Sequence, residues 1–127
     1  MTFARCLTLA ASVILLCTGL AHLLGYTHVI PIVTRSGVNP GIVSAIKGIW
    51  LTYTIHLVLL SAAIVWISRL PGTGSLLLFL VLFPVADAVL MFRFIGPFIG
   101  AYMVTTAALL LLIGGWLLPH GKTPAAK

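Results

Sequence analysis

Four apolar runs dominate this chain, and each is long enough to cross a bilayer. A hydrocarbon layer ~30 Å thick needs about 20 helical residues. The runs are separated by Thr34-Arg-Ser-Gly-Val-Asn-Pro-Gly41, by Arg69, Pro71 and Gly72, and by Ile95-Gly96-Pro97. Of the 127 residues, 61% are apolar and 6% charged. A soluble domain carries about 25% charged residues, so lipid must be the main solvent of this surface. Backbone N–H and C=O groups in lipid find partners only within helices or closed barrels, and runs of this length specify helices.

The prediction is an all-α, integral membrane four-helix bundle, a single domain over 1–127. Its helices are expected at about 4–28, 42–68, 74–93 and 97–118, with a disordered tail over 119–127. Pro31 and the polar stretch after it are expected to end the first helix. The loop over 29–41 then becomes the longest connection. Ser44 is a candidate cap for the second helix, and Pro97 suits the first position of the fourth.

Seven Lys and Arg against one Asp leave a net charge of +6. These cations sit at the ends of the apolar runs, where they meet lipid phosphates and set orientation. Nucleic acid is therefore not an expected partner; the lipid bilayer is. Arg5, Arg69, Lys122 and Lys127 fall on the terminal face, and Arg35, Lys47 and Arg93 on the opposite, loop face. The balance tips towards cytoplasmic termini in a bacterial inner membrane. Cys6 and Cys17 lie about three turns apart on one helix and cannot pair with each other. A cleaved signal peptide is the alternative reading of residues 1 to 25. Arg5 and the apolar run fit it, but no small-x-small cleavage site follows, so the segment is read as a retained helix.

Asp87 is the only acidic residue, and it sits inside the run Leu76–Arg93. An ionisable group at membrane depth is costly and marks a functional candidate. Pro84, one turn earlier, frees a backbone carbonyl. With ~1.5 Å rise per residue, His22 lies roughly 9 Å inside the loop face counting back from His28, and Asp87 lies roughly 9 Å inside it counting back from Arg93. Tyr102 reaches a similar depth. On the second helix that depth falls at Trp50 to Tyr53, with His56 deeper. The expected polar layer is therefore His22, Thr52 or Tyr53, Asp87 and Tyr102, with Lys47 just above and Tyr26 on the His22 face of the first helix.

Two main readings follow for this layer. In one, Asp87 pairs with Lys47 or His22 and locks helix packing. In the other, Asp87 and His22 are the chemical centre of a site, and Tyr26, Lys47, Thr52, Tyr53, His56 and Tyr102 bind a lipid or quinone head, a small polar group or a proton. An Asp87 directed into a subunit interface is a third. The corresponding functions are a non-enzymatic membrane subunit or binding protein and, as the alternative, a small membrane enzyme or carrier moving protons through Asp87 and His22. A single Asp cannot supply both the acid and the base of carboxylate-pair chemistry. No cofactor is specified. His22 and His56 as haem ligands differ in estimated depth by roughly 6 Å. His22, His56 and Asp87 are suitable metal ligand types, but no two of them share i, i+3 or i, i+4 spacing, and no metal is assigned.

Gly96 and Gly100 form a small-xxx-small pair expected to let the fourth helix approach a neighbour, favouring a homo-oligomer or a larger membrane complex. Trp50, Trp66 and Trp116 are read as interface anchors. With a first-helix His followed by Gly, here His22 and Gly25, and a Trp…His second helix, here Trp50 and His56, the chain resembles small four-helix bacterial membrane proteins of the DoxX type. That resemblance implies the same four-crossing plan. Small multidrug-resistance transporters share the length and helix number, but they carry a first-helix Glu that this chain lacks.

Overall fold

The computed structural model describes residues 2–119, and within them the chain is helical apart from short turns. Five helical segments follow in order: α1 (Phe3–Arg35), α2 (Pro40–Ser68), α3 (Gly74–Leu80), α4 (Leu82–Phe94) and α5 (Ile99–Leu117). Segments α3 and α4 are one crossing, so the chain makes 4 candidate membrane spans. The all-α four-helix membrane bundle expected from the apolar runs is what forms. Beyond Pro119, the expected disordered tail lies outside the described residues.

The first helix runs two turns further than its sequence suggests. Pro31 lies inside α1 and removes only the bond to the Thr27 carbonyl. Ile30, just before Pro31, is buried, as is Val43 near the start of α2; beyond Pro31 only Val33 of α1 is half-buried, and the Thr34 hydroxyl donates to the Ile30 carbonyl at 2.8 Å. The helix stops at Ser36, whose N–H and hydroxyl both bond the Val33 carbonyl. Gly37 follows at φ +74, the left-handed position that glycine fills without strain. The long 29–41 loop is thus replaced by a minimal turn. Asn39, not Ser44, caps α2, accepting the Gly41 N–H at 2.8 Å. Pro40 takes the first helical position, where its missing N–H costs nothing.

The third crossing stays helical at Val81, between α3 and α4, with φ -58 and ψ -29. Pro84 has no N–H for the Leu80 carbonyl, and its ring is fully buried. The following turn uses Gly96 at φ +95, with the Ile95 and Gly96 N–H groups both on the Met91 carbonyl. Pro97 therefore lies in the turn, and Phe98 precedes the first residue of α5.

α1 is the packing centre, lying along both α2 and α5. Ser12 and Ser61 each donate to the other's backbone carbonyl at 3.0 Å. A Cβ on Gly19 would stand 3.3 Å from Leu57 Cβ. A Cβ on Gly114 would stand 2.7 Å from Thr8 Cγ2 and 3.1 Å from the Ala4 carbonyl. Small residues bring backbones close where lipid supplies no hydrophobic drive between helices. The Gly96/Gly100 pair does not serve this purpose. Gly96 faces open space and Gly100 faces its own near neighbour Phe98. Leu15, Leu57, Ile64, Leu77, Ala107 and Leu111 fill the core beneath these contacts.

α2 packs on α3 but diverges from α4: no Cα of one lies within 8 Å of a Cα of the other. The helices also differ in height. Thr8 lies against Gly114 on antiparallel helices, so Ile99, fifteen residues earlier, comes level with about residue 23 of α1. The remaining dozen residues of α1, with the start of α2, project ~18 Å past the α4–α5 turn.

Candidate functional site

The polar side chains of α1, α2 and α4 form a row rather than a level ring. It begins at Trp50, whose indole N–H donates to the His22 carbonyl at 2.7 Å. The Trp50 and His22 rings stack, with centroids 4.4 Å apart. Gly25 makes room for this, since a Cβ there would come 3.2 Å from the indole. The Thr54 hydroxyl donates to the Trp50 carbonyl at 3.1 Å and lies 3.0 Å from His22 Nδ1. With the threonine proton committed, His22 donates from Nδ1, which leaves Nε2 as an acceptor.

Tyr53 carries the row downward. Its ring lies edge-on to His22, centroids 5.0 Å apart, and 6.1 Å from His56. Its hydroxyl has only the Met91 sulfur, at 3.9 Å, a weak acceptor. His56 Nε2 then meets Asp87 Oδ2 at 3.1 Å. The pair stands in the α2–α4 seam, with side chains 33% and 16% exposed. Phe83 lies beside the imidazole, centroids 6.0 Å apart.

Asp87 is thus partnered by His56, not by His22 or Lys47. The depth of Asp87 was counted from a helix end that the structure keeps within one residue. The error lay on the first helix, where His28 is not the end. Because α1 continues to Arg35, His22 sits at about the level of the α4–α5 turn. The Ser12–Ser61 contact places His56 level with about residue 17 of α1, ~7 Å deeper than His22.

His22, Tyr53, His56 and Asp87 come together in the row. Tyr26 lies one turn above His22 and is half-buried. Lys47 lies on the projecting part of α2, ~13 Å along the axis from His56. Thr52 is exposed. Tyr102 is 57% exposed and rests against Phe92. These four lie outside the contact row. Trp66 and Trp116 are 67% and 72% exposed near the terminal face, whereas Trp50 is a structural member of the site. Among the described residues no three His, Cys, Asp or Glu groups converge as metal ligands, so His22, His56 and Asp87 do not form a metal centre. The two imidazoles are committed to different partners, Thr54 and Asp87. Thr54, Phe83 and Met91 were missed in the sequence; only the i, i+4 spacing of Trp50 and Thr54 hinted at any of them. Compared with protein-family models, curated proteins and solved structures, the chain finds no match.

Proposed function

We propose that this chain is a small non-enzymatic binding protein of the bacterial inner membrane, taking the polar head of a lipid-soluble molecule such as a quinone at His56, Asp87 and Tyr53. The observation that carries the reading is the hydrogen-bonded His56–Asp87 pair, partly exposed in a seam where only side chains, not backbones, of α2 and α4 come together. Hydrocarbon cannot satisfy such groups, so a head carrying both a donor and an acceptor suits them. The Tyr53 hydroxyl, held only by sulfur, is the free donor, and the second Asp87 oxygen is an acceptor. No second carboxylate or activated nucleophile accompanies the pair, which favours binding over catalysis. Association with a second copy or a larger membrane complex belongs to the same proposal, with the termini on the cytoplasmic face.

A second reading has its own support. The pair bridges two helices that lack backbone contact, which is what a packing lock does. The test is mass spectrometry of small molecules retained by the protein purified in mild detergent, wild type beside Asp87→Asn. Loss of a specific retained molecule, with the helical content unchanged, supports the site. Equal retention by both proteins, together with lowered stability of the variant, leaves only the lock.

A further inference from the structure

The face of α4 opposite Asp87 carries a second feature. At about 100° per residue, Val89 and Phe92 point away from the carboxylate. Together with Leu109 they wall an open groove between α4 and α5, and Ala88 and Ala108 keep it deep. Its volume is about 550 Å³, within the roughly 300–1,000 Å³ of ligand sites. Its one charged lining residue is Arg93, in the last turn of α4 and therefore close to the headgroup level. The guanidinium lies 5.7 Å from the Phe94 ring centroid. The chain's single acid, Asp87, is held by His56, so no carboxylate side chain neutralises Arg93.

We propose that this groove binds an anionic glycerophospholipid, one acyl chain lying against Val89, Phe92 and Leu109 and the phosphate on Arg93. An apolar trough closed at the headgroup end by an unneutralised guanidinium matches that ligand in both shape and charge, and arginine pairs with phosphate oxygens through two parallel N–H donors. The site is independent of the His56–Asp87 seam, which opens on the other side of the helix.

The experiment is native mass spectrometry of the detergent-purified protein titrated with phosphatidylglycerol or phosphatidylcholine of identical chains. Wild type is expected to retain phosphatidylglycerol preferentially. Arg93→Gln should reduce that preference about fivefold, the worth of one basic residue at a lipid surface, and Arg93→Lys should restore part of it. Lys47→Gln, an equal charge loss on the same face but outside the groove, should leave the preference unchanged. Val89→Phe, at an exposed wall position, should lower retention of both lipids alike by filling the trough. Equal retention of the two lipids by wild type, equal effects of Arg93→Gln and Lys47→Gln, or an unchanged Val89→Phe each overturns the proposal. Asp87→Asn should not alter this lipid preference, so the test stands apart from that of the seam.

Discussion

The α1–α2 interface and the α2–α4 seam show two ways in which one helix can meet a neighbour in lipid. Between them, Ser12 and Gly19 of α1 and Ser61 of α2 let backbones approach until side chains bond directly to the facing carbonyls. Across the seam, only side chains reach: Tyr53 to Met91 and His56 to Asp87. The difference lies in residue size: Ser12, Gly19 and Ser61 permit backbone contact at the first, whereas Tyr53, His56, Asp87 and Met91 face one another across the second. The tight interface is therefore where stability is expected to reside, and the loose one is where the ligand proposed above would bind.

The largest effect is expected from Gly114→Val, at the equally close contact of α1 with α5. Its new Cβ meets Thr8 and a backbone carbonyl that cannot swing away, and overpacking of this kind costs about 3 kcal/mol. Denaturation in mixed micelles should show it as a large loss of stability. A smaller effect is expected from replacing Ser12 and Ser61 together by Ala. Both reciprocal bonds disappear, at about 1 kcal/mol for the pair, since interhelical bonds in membranes average roughly 0.6 kcal/mol each. An undiminished stability would mean that the close approach holds without them. Smallest of all should be Tyr53→Phe, at under about 0.5 kcal/mol, because its hydroxyl contacts only sulfur. Retention of the seam's ligand should nevertheless fall in that variant. If stability drops as far as in the serine double variant, the seam is a packing interface like the other.

These contrasts separate what could be read along the chain from what could not. The four crossings were legible because apolar length alone sets them. The boundaries were legible only where the turn chemistry was local: Pro71 and Gly72 were read correctly as the end of α2. Pro31 does not stop α1, because a proline removes only one helix bond, and the helix ends where Gly37 takes a positive φ. The Gly96/Gly100 spacing was legible as a motif, but within the chain it makes no helix contact, since Gly96 belongs to a turn. The close-approach glycines inside the bundle are Gly19 and Gly114, which no spacing rule singled out.

Composition and spacing determined the solvent, the helix count and the isolation of Asp87 as the one acid in an apolar run. They also limited its partners to a short set, His22, Lys47, Thr52, Tyr53, His56 and Tyr102, because few other polar side chains lie at membrane depth. Which of them meets Asp87 was decided only by the tertiary structure. A hydrogen bond depends on the relative height and rotation of two helices, and both are set by contacts elsewhere: Ser12 on Ser61 and Thr8 on Gly114. An error of seven residues in the end of one helix is an error of ~10 Å in depth. That is enough to move His22 out of reach and to put His56 in its place.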